Sequence, residues 1–127
     1  MRTIKFRAWI KKWKEMREVY TIKWEDEGVL IEADQYCSFF KIDEIKLMQF
    51  TGLTDKHGKE IFECDIVRLT GNLEKQYKEE GYNTISEVFF DEDEICFDAP
   101  KIACALNKHT CSDFEIIGNV FENEGIF

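Results

Sequence analysis

The sequence predicts a mainly β fold with little helix, and three observations lead to this prediction. Polar and apolar residues alternate over short stretches such as TIKFRAWI (3–10) and REVYTIKW (17–24), and a period of two places every second side chain on one face of a strand. Further short strand-like runs follow along the chain of 127 residues, whose eleven Phe, four Tyr and three Trp predict an aromatic core. No stretch predicts a convincing long helix. Many short strands are typical of a small barrel or of paired sheets.

Further strands are predicted where short apolar runs are bounded by turn-forming residues. These runs are VLIEA (29–33), YCSFFKI (36–42), IKLMQF (45–50), ISEVFF (85–90), EICFD (94–98) and FEII (114–117). Residues 71–83 are polar and lie between Gly71 and Gly81, which predicts a mobile loop or one loose helical turn. Residues 107–113 predict a second loop, and Pro100 ends the strand before it.

The segment that joins the first two strands is ambiguous. Trp9, Trp13, Met16 and Tyr20 follow one another at spacings of four, three and four, which is the stripe of an amphipathic helix. The link KKWKE (11–15) also lacks the Gly, Asn or Asp that a tight hairpin normally contains. The residue pattern alone leaves a helix and a hairpin equally open.

The net charge of −9 conceals an uneven distribution. Residues 1–24 carry eight Lys or Arg and two Glu, whereas residues 25–127 carry nine basic and 24 acidic residues. An acidic body repels a phosphate backbone, which argues against a sequence-independent nucleic-acid binder. We therefore expect the basic segment to face acidic groups of its own body or of a neighbouring copy.

Aromatic and basic side chains are interleaved within this basic segment. The residues of this possible interaction surface are Trp9, Lys11, Lys12, Trp13, Lys14 and Arg17. Such a combination can stack bases and bind phosphates. The alternative places the Trp rings in the core or in a subunit contact beneath Lys stems, and it agrees better with the negative charge of the whole chain.

No catalytic, metal or cofactor site is predicted. The five Cys show no zinc-type spacing, so we expect free and mostly buried thiols. His109 is close in sequence to Cys111 and Asp113, but neighbours along a loop rarely adopt the geometry of a nucleophile and its base. The acidic run 91–94 lacks the spaced ligands and the Gly of a calcium loop, and we expect it at a hairpin tip.

The sequence also bears on localisation. Its longest apolar run is far shorter than the roughly 18 residues of a membrane helix. Met1 leads straight into an alternating, charged segment, with no pattern of a signal peptide. These observations predict a cytoplasmic protein with no membrane contact.

The stretch LMQFTGLTDKHGKEIFECDIV (47–67) concentrates turn-forming residues. Asp55 and Gly58 begin and end a tetrapeptide typical of a type I turn followed by a left-handed residue, with His57 at the tip of the turn. Gly52 is expected to serve a preceding bend. In EIFECDIVRL (60–69) the apolar residues change face, which predicts a bent or bulged strand, and the carboxylate of Asp65 can accept a backbone N–H there.

This stretch resembles the central motif of the YopX-like family of phage and prophage proteins. FRAWIKKWKEM (6–16) and FEIIGNVFEN (114–123) resemble the opening and closing motifs of the same family, and the three blocks occur in the family's order. Two residues depart from the pattern. Ile10 stands where the family often has Asp, and Cys64 stands where Gly is common, which implies that position 64 does not require a positive φ.

The resemblance implies two β-rich parts and no established activity. It implies an N-terminal strand and hairpin region over 1–50, with a hairpin at 9–20, and a small C-terminal barrel of the SH3 type over 51–127. The motif residues expected to have structural roles are Gly52, Asp55, Gly58, Asp65, Gly118 and Asn119. We therefore expect a non-enzymatic phage protein without cofactors that forms homo-oligomers and binds a host or phage protein.

Overall fold

The computed structural model describes residues 4–34, 36–92, 96–99 and 111–123, and these residues are mainly β. The chain divides into two compact units, Met1–Phe50 and Thr51–Phe127. The strands are β1 (Phe6–Ile10), β2 (Glu15–Trp24), β3 (Gly28–Ala33), β4 (Tyr36–Lys41), β5 (Ile45–Thr54), β6 (Glu60–Phe62), β7 (Asp65–Leu69), β8 (Ile85–Glu87), β9 (Phe89–Asp91), β10 (Cys96–Asp98) and β11 (Phe114–Asn119). The helices are α1 (Gly71–Glu79) and two 3-10 turns, Ile42–Glu44 and Cys111–Asp113.

Strands β1 and β2 form an antiparallel hairpin, which decides the alternative left open by the residue pattern. The register pairs Trp9 with Met16 and Ile10 with Glu15, so residues 11–14 form the loop. Trp9 and Met16 are seven residues apart in sequence and lie opposite each other across the hairpin. Their spacing therefore does not come from a helix. Lys14 supplies the left-handed residue of the loop, with a φ of 52°.

The hairpin belongs to a six-stranded sheet with the order β4-β3-β2-β1-β5-β6. Neighbouring strands from β4 to β5 pair antiparallel. A bulge interrupts the pairing of β2 with β3 between Val19 and Thr21. The core of the first unit consists of Ala8, Ile10, Val19, Val29, Ile31, Phe40 and Ile45, which alternate with exposed residues as a half-buried sheet requires.

The second unit contains a three-stranded sheet, β11-β7-β8, and a two-stranded sheet, β10-β9. The strands described for this unit do not close into a barrel, so the prediction of a closed barrel is wrong, while the likeness to the SH3 type stays a prediction. Short strands β8 and β9 are separated at Val88, and that break distributes them between two sheets. The core consists of Ile61, Val67, Leu69, Val88, Ala99 and Phe114; each fully buried large side chain contributes roughly 1.5–3 kcal/mol.

Helix α1 replaces the loop or loose turn expected at 71–83. It spans nine residues, and Leu73 and Tyr77 pack against the core of the second unit. These two residues are four apart and therefore share a face of the helix. A helix this short is marginal in isolation, so packing rather than intrinsic propensity explains why the polar sequence becomes helical.

The run EIFECDIVRL (60–69) is two strands rather than one bulged strand. β6 ends at Phe62 and β7 begins at Asp65, with a turn at residues 63–64. The change of apolar face that the sequence shows therefore marks a break between a strand of the six-stranded sheet and a strand of the three-stranded sheet.

Some sequence predictions fall outside the described residues. These are His109, on which the pairing with Cys111 depends, residues 107–110 of the predicted loop, Pro100, and the acidic residues Asp93 and Glu94, whereas Cys111–Asp113 form a 3-10 turn. Within the described ranges, β9 and β10 pair antiparallel with Asp91 opposite Cys96. No helix in the part of the chain that the structure describes is long and apolar enough to cross a membrane.

We predict that Lys14→Gly stabilises the protein by about 0.5–1 kcal/mol. The left-handed conformation costs an L residue roughly 1–2 kcal/mol, more than the roughly 0.5–1 kcal/mol of extra chain entropy that glycine loses on folding. Urea unfolding measures the difference. Lys12→Gly is the control, because Lys12 has no positive φ and should lose stability. A Lys14→Gly variant that is less stable than the wild type would contradict the assigned loop geometry.

Candidate functional site

Asp55 organises the turn that joins β5 and β6. Its carboxylate is buried, and Oδ1 accepts backbone N–H bonds from His57 and Lys59, each at 2.9 Å. Oδ2 accepts a third bond from the N–H of Ile116 in β11 at 3.1 Å. Gly58, with a φ of 80°, completes the turn by donating to the carbonyl of Asp55. One side chain thus fixes the turn and attaches it to β11.

The electrostatics of Asp55 follow from these contacts. Burial alone would raise the pKa of the carboxyl group, but the backbone donors of Ile116, Lys59 and His57 outweigh burial and hold the pKa below its ordinary value. Hydrogen bonds to the charged form have this effect because protonation removes an acceptor from each donor. Asp55 is therefore a buried anion held by backbone dipoles.

Asp65 likewise accepts a backbone N–H with its side chain, at the break between β6 and β7. Its buried carboxylate accepts the N–H of Phe62 at 2.8 Å, and its carbonyl accepts the N–H of Val88 at 2.9 Å. Cys64 donates to the carbonyl of Val88 and accepts from Val120. These bonds connect the turn to segments distant in sequence.

The inference drawn from Cys64 is wrong. Cys64 has a φ of 69°, so this position does adopt the left-handed conformation that favours glycine. A buried thiol occupies it in place of the family's common Gly. The turn therefore has the left-handed conformation at position 64, with a Cys residue that adopts it less readily than glycine.

Gly118 and Asn119 shape the end of β11. The pairing of β11 with β7 shifts register between Ile116 and Gly118, and a Cβ at position 118 would lie 2.5 Å from Oδ1 of Asn123. Oδ1 of Asn119 accepts backbone bonds from Phe121 and Glu122. Glycine here allows the close approach of a neighbouring side chain, and asparagine closes the turn that follows. Gly52, by contrast, is exposed with a φ of 87°.

The structure brings together three charged or titratable side chains on the surface of the second unit. The Glu115 carboxylate lies 3.1 Å from Nε2 of His57 and 2.7 Å from Nη2 of Arg68. The hydrogen bond from His57 is the main cause that lowers the pKa of Glu115, and the charge of Arg68 adds to it. Arg68 and Glu115 are paired across β7 and β11, so strand register explains their proximity.

The trio lies on an open part of the surface. The His57 ring is 61% exposed, whereas catalytic groups generally lie in a concave, partly dehydrated site with a nucleophile or reacting atom in reach. No group of three metal-ligating side chains occurs among residues whose placement is described. An open groove of about 470 Å³ lies instead in the first unit, lined by Ile4, Lys5, Phe6, Glu18, Val19, Tyr20 and Ile22.

The possible interaction surface is only partly contiguous. Lys11, Lys12, Trp13 and Lys14 form the loop of the first hairpin. Arg17 lies opposite Ala8, while Trp9 lies opposite Met16, so the two side chains project from opposite faces of the sheet. The continuous part of the surface is the basic loop, residues 11–14.

Trp13 anchors this basic loop. Its ring packs edge-on against the rings of Tyr36 and Phe40, with distances between ring centroids of 5.5 Å and 5.6 Å. This arrangement is favourable for aromatic pairs. Burial raises the pKa of Tyr36. The N–H of Lys11 donates to the carbonyl of Glu44 at 3.2 Å. Trp13 therefore fixes the loop, and the lysines carry its charge.

The sequence does not predict the contacts of several of these residues. Glu115 and Arg68 each look like the polar member of an alternating strand, and only the pairing of β7 with β11 shows that they meet. Asn123 likewise shows its role only through its contact with Gly118. The spacing of Asp55 and Gly58 was the one local signal strong enough to indicate a defined turn.

Comparison with known proteins agrees with this architecture. The family model described as YopX protein matches residues 5–126, and the chain belongs to the YopX family. The crystal structure of protein EF1440 from Enterococcus faecalis is similar to this chain, with 26% identity and a TM-score of 0.62, over 97% of this chain and 96% of that one. No curated protein matches the sequence.

We predict that Asp55→Asn destabilises the protein by about 1–3 kcal/mol at neutral pH, because an amide cannot replace a carboxylate as acceptor for three backbone donors. Chemical unfolding measures the loss. Asp43→Asn, at an exposed position, is the control and should change stability little.

The difference in stability between the wild type and Asp55→Asn should depend on pH. The pKa of Asp55 is lowered by folding, so its stabilisation is complete above the ordinary Asp value of about 4 and is lost as pH falls through the lower folded value. The difference between wild type and Asp55→Asn should therefore shrink below about pH 4. A difference that stays constant down to strong acid would show that ionisation of Asp55 does not stabilise the fold.

We also predict that the stability of Cys64 variants depends on how well the new residue tolerates a positive φ, rather than on its size or hydrophobicity. Cys64→Gly should fall within about 1 kcal/mol of the wild type, since relief of strain offsets the lost buried side chain. Cys64→Val should be at least about 2 kcal/mol less stable, because a β-branched residue is poorly tolerated at positive φ. Thermal and urea unfolding measure both, and the reverse ranking would refute the turn assignment.

Proposed function

We propose that this YopX family member is a small, non-enzymatic phage or prophage protein of the bacterial cytoplasm that acts through protein contacts. It associates with itself and binds a host or phage protein. The observation that carries this proposal is the exposure of several large apolar side chains in the first unit. Large apolar side chains exposed there are Ile4, Trp13, Tyr20, Trp24, Phe39 and Ile42.

Six of the nine large apolar side chains that are exposed among the described residues belong to the first unit. The six side chains come from a unit of 50 residues, and each is more than 40% exposed. Among the described residues, β4 is an edge strand of the sheet, and it carries exposed Phe39 beside the exposed Ile42. Exposed apolar groups beside an unpaired edge support a contact with another chain.

The roles of the motif residues support the non-enzymatic part of the proposal. Asp55, Asp65 and Asn119 use their side-chain oxygens to accept backbone N–H bonds. His57 is exposed and bonded to Glu115. The polar groups that could suggest chemistry thus have structural partners, which makes a folding role sufficient to explain the motif.

A nucleic-acid function is the second candidate. The basic loop supports it, because three lysines flank an aromatic ring. The contacts of Trp13 with Tyr36 and Phe40 weigh against base stacking by that ring. A related version treats the acidic body as a mimic of DNA that occupies the basic groove of a host enzyme. Affinity for single-stranded DNA that falls steeply with salt would favour the first version.

We predict that the purified protein shows a mass above that of one chain, rising with concentration, in sedimentation and light-scattering measurements. Phe39→Ser with Ile42→Ser should weaken the association several-fold with little change in melting temperature, because both side chains are exposed. Tyr82→Ser, an exposed aromatic of the second unit, is the matched control. A strict monomer at every concentration and salt level would overturn the self-association proposal.

Capture of the tagged protein from infected host cells tests the remaining part. A specific phage or host protein that is retained by the wild type and lost with the Phe39 and Ile42 double variant would support the proposed contact. Recovery of nucleic acid alone, in amounts that fall with salt, would support the second candidate instead.

A further inference from the structure

The basic loop, residues 11–14, carries three Lys residues that have no ion-pair partner among the described residues. Lys11, Lys12 and Lys14 are exposed. In the described part of the chain no carboxylate lies within ion-pair distance of their ammonium groups. The three ammonium groups are therefore available to a partner.

The carboxylate adjacent in sequence to the loop is engaged elsewhere. Oε2 of Glu15 accepts hydrogen bonds from Nε of Arg17 at 3.1 Å and from Nη2 at 3.0 Å. An Arg–carboxylate pair held through two N–H groups is stronger and geometrically more specific than a contact with lysine. Glu15 is thereby directed to Arg17 and does not neutralise the loop.

The loop is also held in place. Trp13 packs against Tyr36 and Phe40, and the N–H of Lys11 bonds the carbonyl of Glu44. Lys14 occupies the left-handed position that closes the hairpin. A backbone fixed in this way loses little further conformational entropy on binding, which favours association.

The complementary charge lies on the same polypeptide. Residues 51–127 contain seven basic and seventeen acidic residues, whereas residues 1–50 contain ten basic and nine acidic residues. In the second unit, exposed carboxylates include those of Glu79, Glu80, Glu92 and Glu122. A second copy of this chain therefore offers an anionic surface that matches the basic loop in sign.

We infer that the basic loop of one copy binds the carboxylate-rich surface of the second unit of another copy. This inference rests on the self-association proposed above and names the polar contact within it. Charge complementarity steers the encounter and fixes which surfaces meet. The exposed apolar side chains of the first unit add contact area that is insensitive to salt.

The test compares three versions of the full-length protein by sedimentation velocity over a range of concentrations, in about 50 mM and about 500 mM NaCl. The first is the wild type. The second combines Lys11→Glu, Lys12→Glu and Lys14→Glu. The third combines Lys23→Glu, Lys59→Glu and Lys75→Glu, which changes the net charge equally at three other exposed positions. Circular dichroism shows whether each version is folded.

We expect the wild-type association to weaken with salt, and the loop variant to associate at least about tenfold more weakly at low salt. The matched control should remain within about threefold of the wild type. A triple Lys→Arg version of the loop keeps the charge and should associate like the wild type. If the loop variant loses no more association than the control, the inferred contact is wrong, although self-association itself stands.

Two other results separate the inference from its alternatives. A wild type that is monomeric under all conditions overturns both the inference and the self-association on which it rests. An oligothymidylate of about 20 nucleotides, followed by fluorescence anisotropy, tests phosphate recognition. If the loop variant loses oligonucleotide binding but associates as the control does, the loop serves nucleic acid and the inferred contact is overturned.

Discussion

The conformation of the second unit depends on the hydrogen bonds that the carboxylate of Asp55 accepts. It joins a local turn to β11 through backbone N–H bonds from His57, Lys59 and Ile116. A carboxylate buried among apolar groups would ordinarily be destabilising. Three aligned donors reverse that balance and keep it ionised. Because the bonds join segments some sixty residues apart, the turn, β6 and β11 are all constrained by one side chain.

The same physical solution recurs at two other places where the chain leaves a regular strand. Asp65 accepts the N–H of Phe62 at the break between β6 and β7, and Asn119 accepts two N–H groups after β11. Backbone groups that lose strand partners must find others, since a buried unpaired N–H is costly. Short polar side chains meet that need locally. The side-chain oxygens of Asp55, Asp65 and Asn119 in the family motif are thus bonded to backbone N–H groups.

Charge is distributed unevenly between the two units. The first unit combines exposed aromatic and aliphatic side chains with the lysines of the basic loop. The second unit has a large excess of carboxylates, and its surface trio of His57, Glu115 and Arg68 is internally paired. This uneven distribution of charge is the basis of the contact between copies that we propose above.

The sequence by itself determined the β class, the positions of most strands, the turn at Asp55 and Gly58, and membership of the YopX family. These follow from signals contained within a few residues, such as alternation with period two and the conformational preferences of Asp and Gly. Tertiary structure decided the hairpin at 9–20, the helix at 71–79, the left-handed Cys64 and the trio around Glu115. Each of these depends on which distant segments pack together: the rings of Tyr36 and Phe40 fix Trp13, and the core around Phe114 receives Leu73 and Tyr77. Local propensities differ by about 1 kcal/mol, so burial contributions larger than that override them.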